Sequence, residues 1–269
     1  MEKLAQVIAV MNQKGGVGKS TTTMALAEAF TEKGKKTLLI DCDPTNSTST
    51  KATVCKVPSQ ITGALLEDLM YCAANGKSMA HDLEAAIRHT KQGIDVIPTS
   101  RALNGVVLGL NGRMDDMKFM CLKKIVSELR DRYDYILLDA GPDLSILTSN
   151  IMAASDRIIP VTQAQDLSEQ GVMELLQTIT DVRKAINPKL VIQGMLIVMV
   201  DNRSKGSKKE AERIEEKYSK MGMKVFNTKI PRAIDAERYA AKARLPISSD
   251  PKGKVAEAYR MFAEEVLEG

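Results

Sequence analysis

A glycine-rich stretch near the N-terminus has the residue types of a phosphate-binding loop. Residues 10–30 read VMNQKGGVGKSTTTMALAEAF, which contains the end of the pattern G-x-x-x-x-G-K-[ST]. Its three glycines would let backbone amides approach phosphate oxygens, because glycine adopts conformations that are closed to other residues. Lys19 would bring positive charge to the phosphates, and the Ser20 hydroxyl would face Mg²⁺. Since the loop follows an apolar strand and continues as a helix, we predict a nucleotide site rather than a ligand-free turn.

The start of this loop departs from the usual pattern. The first glycine of the pattern would stand five positions before Gly18, where the sequence has Gln13. The next residue is a second lysine, Lys14. A loop that already has its phosphate lysine therefore carries an additional positive charge that needs an explanation.

Three aspartates follow apolar runs at predicted strand ends. Asp41 and Asp43 lie in LLIDCDPT, and Asp139 ends the run YDYILLDA. Residues two positions apart on an extended chain face the same side, so the first two carboxylates would point together. Ligands bind at the carboxyl ends of the strands in an open parallel sheet. Asp139 also matches the acidic residue that holds Mg²⁺ in nucleoside triphosphatases, often through water.

The hydrophobic pattern predicts a parallel sheet. The chain has 269 residues, of which 44% are hydrophobic and 4% aromatic. Its apolar runs are continuous, which is typical of strands buried on both faces. We therefore predict an α/β fold with one doubly wound, mostly parallel sheet and helices on both faces. Since no Pro- or Ser-rich linker divides the chain and the phosphate-binding loop follows the first strand, we predict a single P-loop domain over residues 1–269. The predicted strands are 6–11, 36–41, 93–99, 133–140, 157–163, 190–201 and 224–231, and the predicted helices include 19–33, 61–74, 115–131, 168–186, 206–221 and 253–267.

Composition argues against several other classes of protein. No stretch approaches 18 consecutive apolar residues and no cleavage site precedes the first strand, so we expect neither a membrane span nor secretion. The net charge of +4 is too small to indicate a nucleic-acid partner by itself. The cysteines are irregularly spaced without a C-x-x-C pair, so we expect reduced thiols rather than zinc or disulfide sites. These cysteines are Cys42, Cys55, Cys72 and Cys121.

Several stretches together resemble one known family. KGGVGKST resembles the deviant Walker A motif of the ParA/MinD ATPases, DCDP resembles their second switch motif, and YDYILLDAGP resembles their Walker B strand. IIPVTQAQDLSEQGVMELLQTI is similar to a later segment of the family. The tail IPRAIDAERYAAKARLPISSDPKGKVAEAYRMFAEEV is similar to the ending of its partition proteins. Because the motifs occur in the family's order over nearly the whole chain, it is identified as a member of the ParA/Soj type of partition ATPase.

The resemblance implies ATP and Mg²⁺ as cofactors and a role for the additional lysine. Lys14 would reach the nucleotide of a second subunit, so that two copies close face to face only with ATP between them. A cation supplied in this way can be worth about 10³–10⁵ in rate. Adenine would lie near the ends of two late strands. The implied nucleotide-binding residues are Lys14, Gly15, Gly16, Val17, Gly18, Lys19, Ser20, Thr21, Met199 and Pro231.

The resemblance also divides the acidic residues between catalysis and metal binding. Asp43 would orient the attacking water and act in catalysis together with Lys14. Asp41 would support the water shell of Mg²⁺, which Ser20 and Asp139 would hold. These three are the implied metal residues.

The chain departs from the family pattern in its switch and Walker B segments. Thr45 replaces the common glutamine after D-x-D-P, and TNSTST replaces a switch that contains more glycine. Ala140 and Gly141 replace the usual residue plus proline after the Walker B aspartate. The phosphate and metal residues stay in place, and the replacements fall on segments that would set turnover and switch movement.

A basic stretch is relevant to whether such an ATPase would bind DNA. Residues 201–224 read DNRSKGSKKEAERIEEKYSKMGMK, with glutamates among the lysines and arginines. Alone, this pattern is typical of a solvated helix face. With the resemblance it indicates nonspecific binding to the backbone of double-stranded DNA, although Asp235 stands where relatives often have a second arginine. The candidate DNA-binding residues are Arg203, Lys205, Lys208, Lys209 and Arg232.

Partitioning is the function that the resemblance favours. An ATP-dependent homodimer would bind DNA, and a ParB-like activator of a plasmid, chromosome or mobile element would stimulate its weak hydrolysis, in the cytoplasm and on the nucleoid. The alternative is a MinD-like positioning ATPase at a membrane or on another cargo. The acidic ending AEAYRMFAEEVLEG disfavours it, because MinD-like proteins end in a basic amphipathic helix. An iron–sulfur ATPase of the nitrogenase type is disfavoured because Cys72 and Cys121 fall in predicted helices.

Overall fold

A mixed sheet with helices on both sides forms the centre of the computed structural model. The structure describes residues 4–44, 63–143, 145–164, 169–232 and 246–269. The described strands are β1 (Gln6–Met11), β2 (Thr37–Cys42), β3 (Arg88–His89), β4 (Asp95–Ile97), β5 (Tyr135–Ala140), β6 (Arg157–Gln163), β7 (Val191–Ile192) and β8 (Leu196–Val198). The described helices are α1 (Lys19–Glu32), α2 (Leu66–Ala74), α3 (Ala80–Ala86), α4 (Leu103–Asn111), α5 (Met117–Ser127), α6 (Ile146–Ala154), α7 (Glu169–Ala185), α8 (Lys205–Lys220), α9 (Pro246–Ser249) and α10 (Lys254–Glu268).

The strands are ordered β3-β4-β2-β5-β1-β6-β7, and β8 pairs with the later part of β6. Among the described strands, β3 and β4 pair antiparallel and the remaining neighbours pair parallel. Strand β1 lies between β5 and β6, so its carboxyl end opens at the middle of the sheet. The predicted α/β fold with one mostly parallel sheet is confirmed.

The two faces of the sheet form separate apolar layers, because successive side chains of a strand point in opposite directions. In β1, Val7, Ala9 and Met11 belong to one layer, which packs against residues of α2 to α7. Ile8 and Val10 belong to the other layer, which packs against residues of α1, α9 and α10. The prediction of helices on both faces is therefore confirmed.

The predicted strand 190–201 is two short strands, β7 and β8. The interruption falls at Gly194, where an added Cβ would lie 2.9 Å from Cε2 of Phe226. The Phe226 ring thus occupies the place of a side chain at this position, a close approach that glycine permits. Gln193, just before it, donates from Nε2 to the carbonyl of Val266 at 2.7 Å and so ties the break to α10.

The predicted strand 224–231 forms only two isolated bridges in the described residues, Met195 with Val225 and Val200 with Pro231. Near its two ends, the amides of Phe226 and Ile230 donate to carbonyl groups of residues 195 and 197 at 3.0 Å. The amides of residues 227 and 228 donate to the Glu265 carboxylate of α10 at 2.8 and 2.6 Å. Because these two donors serve a carboxylate, the pairing with residues 195–200 is interrupted between the two bridges.

Four helices, α3, α4, α6 and α9, were not predicted. Helix α4 has the sequence LNGVVLGLN, in which two glycines and two valines lower the helix propensity. It is held by burial of Leu103 and Leu110 at its two ends. Helix α6 is preceded by Ser145 at its N-cap, whose hydroxyl accepts from the amide of Leu147 at 3.3 Å. That capping serine was the available sequence signal for α6.

The C-terminal part of the chain is anchored on α1 by a buried carboxylate. Glu28 of α1 is 4% exposed and accepts from the amides of Ile247 and Ser248 at 2.7 and 2.8 Å. Burial raises the pKa of Glu28, and the hydrogen bonds from Ser248 and Ile247 oppose that shift. At the exposed end of the same helix, Lys33 pairs with Glu264 at 2.8 Å.

We expect these two contacts to differ in strength. Glu28→Ala should lower the free energy of unfolding by about 2–3 kcal/mol, since it leaves the buried amide of Ile247 and the partly buried amide of Ser248 without their acceptor. Glu264→Ala removes an exposed ion pair of the same two segments and should cost at most about 1 kcal/mol. Urea unfolding of both variants measures the difference. Equal losses would show that the buried carboxylate has no special part in anchoring the C-terminal segment.

Candidate nucleotide-binding site

The glycine-rich loop ends in an uncapped helix N-terminus. Gly18 precedes α1 with φ 89°, no side chain caps this end, and the first turn contains no acidic residue. Its amides and the positive end of the helix dipole are therefore available to an anion. Around Gly15 and Gly16, an added Cβ would meet nothing within 4 Å, so the loop has open space above it. Val17 is fully buried, and Thr21 is half-buried in the first turn.

The ammonium group of Lys19 lies inside this loop. Its side chain is 6% exposed, and Nζ donates to the carbonyl of Lys14 at 3.1 Å. Burial lowers the pKa of Lys19, while the negative charges of Asp139, Asp43 and Asp143 oppose that shift. The cation is thus held close to the loop and surrounded by carboxylates. Asp143 is an addition to the three aspartates that the sequence indicated.

The predicted carboxylates meet at one edge of the sheet. Asp41 and Asp139 are direct neighbours on β2 and β5, and both are fully buried. Asp43 follows β2, and its amide donates to Oδ1 of Asp41 at 3.1 Å. Burial and the charges of Asp41 and Asp43 raise the pKa of Asp139 well above its usual range, and Ser20 and Lys19 oppose this shift.

One oxygen of this cluster has no protein partner. Oδ2 of Asp139 is buried without a hydrogen bond, whereas Oδ1 accepts from Thr23 at 3.4 Å. A buried carboxylate oxygen without a partner is costly, and a cation or its water would satisfy it. The residues predicted for Mg²⁺, namely Ser20, Asp41 and Asp139, therefore fit such an ion.

Phosphate oxygens would have to complete the coordination of that ion. In the part of the chain that the structure describes, no group of three or more histidine, cysteine or carboxylate side chains is arranged to chelate a metal by itself. Mg²⁺ typically combines one or two protein ligands with water and substrate phosphates. A bound ion would supply positive charge that offsets the phosphates and the clustered aspartates.

The opposite wall of the loop comes from β6 and the end of β8. Gln163 donates from Nε2 to the carbonyl of Gly16 at 2.9 Å and to Sδ of Met199 at 3.0 Å. An added Cβ at Gly18 would lie 3.6 Å from Cε of Met199. Met199 has φ 57° and is the one non-glycine residue with positive φ in the described ranges. Such backbone strain is typical of ligand sites.

The residues predicted near adenine are thus brought to this wall. Met199 contacts the loop directly, and Val200, the next residue, pairs with Pro231. The arrangement places both predicted residues on the β8 side of the loop. Their role toward a base stays a prediction.

The candidate DNA-binding residues lie just beyond the same wall. Helix α8 starts seven residues after Val198, and Lys205, Lys208 and Lys209 at its first turns are exposed. Arg203 is also exposed, and its Nε lies 3.5 Å from Oδ1 of Asp201. Arg232 is exposed, and its amide donates to the carbonyl at position 200 at 2.9 Å. Thr45, Asp235 and the TNSTST segment lie outside the described residues.

Sequence reasoning missed several residues that shape the loop. Asn12, Gln163 and Thr23 hold the loop or its carboxylates by hydrogen bonds, and Asp143 adds negative charge near Lys19. Asn12 and Thr23 were visible as polar residues within otherwise apolar or motif segments. Gln163 lies at the end of an apolar strand, like the three aspartates. That position was the sequence signal that could have indicated it as a site residue.

The comparisons with known proteins agree with this geometry. Residues 5–192 match the family model described as "AAA domain". The chain is 32% identical over 264 residues to the chromosome partitioning protein ParA of Caulobacter vibrioides, covering 97% of this chain and 94% of that protein. It is 34% identical over 266 residues to the chromosome-partitioning ATPase Soj of Treponema pallidum, covering 98% of each.

Solved structures show the same architecture. The cobyrinic acid a,c-diamide synthase of Mycobacterium smegmatis, with bound ADP and magnesium, has 29% identity and a TM-score of 0.81 over 98% of this chain and 94% of that one. The septum site-determining protein MinD of Pyrococcus horikoshii, complexed with Mg-ADP, has 22% identity and a TM-score of 0.74 over 99% of this chain and 98% of that one. The nucleotides and magnesium of these proteins agree with the cofactors predicted here.

The fold and the site define a P-loop nucleoside triphosphatase with a deviant Walker A loop. Within this class, nearly the whole chain matches ParA and Soj proteins at 30% identity or above. The chain belongs to the ParA/Soj family of ATPases, as its motifs predicted. No described helix is long and apolar enough to cross a membrane.

We expect Asp139→Asn to separate nucleotide binding from metal binding. The variant should still be stabilised against heat by ADP alone, since the loop amides and Lys19 are unchanged. Added Mg²⁺ should raise the melting temperature of wild-type protein with ADP by about 5 °C at saturation and that of the variant by much less. Thermal melts with ADP, with and without Mg²⁺, test this. An equal magnesium effect in both proteins would remove Asp139 from the metal site.

Proposed function

We propose that this protein is an ATPase that forms an ATP-dependent homodimer, binds double-stranded DNA nonspecifically and drives the partitioning of a plasmid, chromosome or mobile element. A ParB-like activator would stimulate its weak basal hydrolysis. The protein would act in the cytoplasm on the nucleoid. Proteins of similar structure carry different names, including a diamide synthase, so the fold alone does not select this function.

The observation that carries the proposal is that the two lysines of one loop lie in different surroundings. Lys19 is buried within its own loop, where its ammonium group faces the aspartates. Lys14 is half-buried at the start of the loop, and its amide and carbonyl are both hydrogen-bonded. Because the local phosphate charge is served by Lys19, the side chain of Lys14 is left to serve the nucleotide of a second copy.

Catalysis would then combine a cation from the partner with a local carboxylate. The charge of Lys14 would stabilise the γ-phosphate of the other subunit, an effect worth about 10³–10⁵ in comparable phosphoryl-transfer enzymes. Asp43 is 6% exposed and contacts the site through Asp41. From this position it would orient the attacking water.

DNA binding is supported by the distribution of charge along α8. Lys205, Lys208 and Lys209 stand at positions that share one helix face, and no ion pair to these three occurs among the described residues. Further along, Arg213 pairs with Glu210 at 2.7 Å and Lys220 with a glutamate at 2.6 Å. The first turns thus carry the uncompensated positive charge that a phosphate backbone attracts.

We expect Lys14→Ala to remain monomeric with ATP. Binding of ADP should be close to that of wild-type protein, because the residues that hold its phosphates within one subunit are unchanged. Light scattering with ATP measures the mass, and titration with ADP measures binding. Lys91→Ala, which removes the same charge from an exposed turn, is the control and should dimerise. A normal ATP-dependent dimer of Lys14→Ala would contradict the proposed role.

We expect the affinity for DNA to depend on two lysines of α8 that form no ion pair in the described residues, and not on two cations of the same helix that form ion pairs. Lys208→Ala with Lys209→Ala should weaken ATP-dependent binding to random duplex and lower the salt slope by about 2, since each lost phosphate contact removes about 0.9. Arg213→Ala with Lys220→Ala removes the same charge from ion pairs and should change both quantities little. Fluorescence anisotropy over a salt series provides the measurement. Equal effects of the two double variants would indicate general charge rather than a defined DNA surface.

A further inference from the structure

The start of the phosphate loop is fixed by a buried amide side chain. Asn12 follows β1, is 2% exposed, and donates from Nδ2 to the carbonyl of Val161 on β6 at 2.6 Å. Its Oδ1 accepts from the amide of Lys14 at 2.9 Å. A single carboxamide therefore connects the neighbouring strand to the backbone of the additional lysine.

Helix α7 passes close to this carboxamide at Gly171. At Gly171, an added Cβ would lie 3.3 Å from Oδ1 of Asn12 and 4.0 Å from the amide nitrogen of Lys14. Glycine in a helix costs up to about 1 kcal/mol relative to alanine. The φ of Gly171 is not positive, so the backbone conformation does not require glycine. The close approach of α7 to Asn12 accounts for it.

The residue at the missing glycine position also contacts α7. In the amide orientation that gives both ends a partner, Gln13 donates to Glu174 and accepts from the amide of Leu175 at 3.0 Å. Gln13 thus ties the loop to the second turn of the helix. The departure from the usual loop pattern therefore coincides with a contact to α7.

The peptide of Lys14 is held on both sides by these contacts. Asn12 accepts from its amide, and Lys19 donates to its carbonyl at 3.1 Å. Since the backbone is fixed, the side chain of Lys14 starts from a defined position and direction. Such preorganisation matters most for a group that must meet a second molecule with little error.

We propose that Asn12, kept in place by the absence of a side chain at Gly171, is a positioning residue for Lys14 in the ATP-dependent dimer. The proposal rests on the proposed role of Lys14. Asn12 is buried and contacts backbone groups of β6 and the loop. It should therefore act on dimerisation and hydrolysis and leave the binding of a nucleotide within one subunit nearly unchanged.

Gly171→Ala is the sharpest test of this proposal. The added methyl group would push Asn12 by a few tenths of an ångström, while the helix itself gains propensity. We expect ATP-dependent dimerisation and kcat to fall by about tenfold or more, since a displacement of about 1 Å can cost about 10² in rate. The affinity for ADP should stay within about twofold of wild type, and the melting temperature should not fall.

Gly109→Ala is the matched control. Gly109 lies in α4, where an added Cβ would meet nothing within 4 Å, so this variant gains the same helix propensity without a contact. It should dimerise and hydrolyse ATP like wild-type protein. If Gly171→Ala loses dimerisation and Gly109→Ala does not, the loss is caused by the contact with Asn12.

Asn12→Asp provides a second variant with a different defect. It keeps an acceptor for the Lys14 amide and places a carboxylate oxygen instead of the donor beside the Val161 carbonyl, so the side chain would lose its attachment to β6. The added negative charge would act on bound phosphates as well, so only a loss of dimerisation at nearly unchanged ADP affinity is assigned to the lost attachment. We expect weaker dimerisation with ADP affinity again within about twofold of wild type. Because the side-chain volume is unchanged, a cavity cannot explain the result.

The possible results distinguish the positioning role of Asn12 from the proposed role of Lys14. Normal dimerisation of Gly171→Ala and Asn12→Asp would show that Asn12 does not position Lys14. A parallel fall in ADP affinity and dimerisation would show that Asn12 supports the whole loop instead. If Lys14→Ala itself dimerises normally, the proposed role of Lys14 fails and this inference fails with it. Loss of dimerisation in Lys14→Ala with normal behaviour of both other variants overturns the positioning role alone.

Discussion

The burial of opposite charges at the carboxyl edge of the sheet is the constraint on which the rest of this structure depends. Lys19 faces the cluster of Asp41, Asp43 and Asp139, where one oxygen has no protein partner. Burial and the neighbouring charges of Asp41 and Asp43 raise the pKa of Asp139, and additional positive charge at this edge would oppose that shift. A magnesium ion with a nucleotide supplies that charge together with phosphates, which the loop amides accept. The charges at this edge are therefore consistent with a nucleotide and magnesium as ligands.

The elements around this edge connect the loop to the surfaces that would use it. Helix α1 starts in the loop and is joined to the C-terminal segment by Glu28 and by a contact of Thr22 with Tyr259 at 3.2 Å. Strand β8 lines the loop and leads directly into α8 with its exposed lysines. Helix α7 abuts the residues that precede the loop. The loop is thus joined to helices on both faces of the sheet by short, packed connections.

The sequence predicted much of this because the responsible signals are local. Continuous apolar runs indicated the buried parallel strands, and the motif around Lys19 indicated the loop and its helix. The misses share a different cause. The break at Gly194 depends on Phe226, and the absence of a strand at 224–231 depends on Glu265, contacts that cross the fold. No local pattern contains such information.

The same distinction applies within the site. The phosphate-loop residues, the aspartates and Met199 could be indicated by motif and position, and the structure brings them together. Asn12 and Gln163 have positions that could attract attention, but their roles could not be derived from them, since these roles depend on carbonyl groups of neighbouring elements. Gln13 looked like a defect in the motif and is instead a contact to α7. Motif departures are therefore informative about packing as well as about chemistry.

The central claim is that Lys14 acts on the nucleotide of the other subunit while Asp43 acts on its own. A mixing experiment tests this directly, with Lys14→Ala and Asp43→Ala proteins assayed for ATP hydrolysis separately and as an equimolar mixture. In a mixed dimer, the site of the Lys14→Ala subunit keeps Asp43 and receives Lys14 from its partner, so one complete site forms. The account predicts that the mixture hydrolyses ATP several-fold faster than the sum of the separate proteins. A rate equal to that sum would contradict it and place Lys14 at its own subunit's nucleotide.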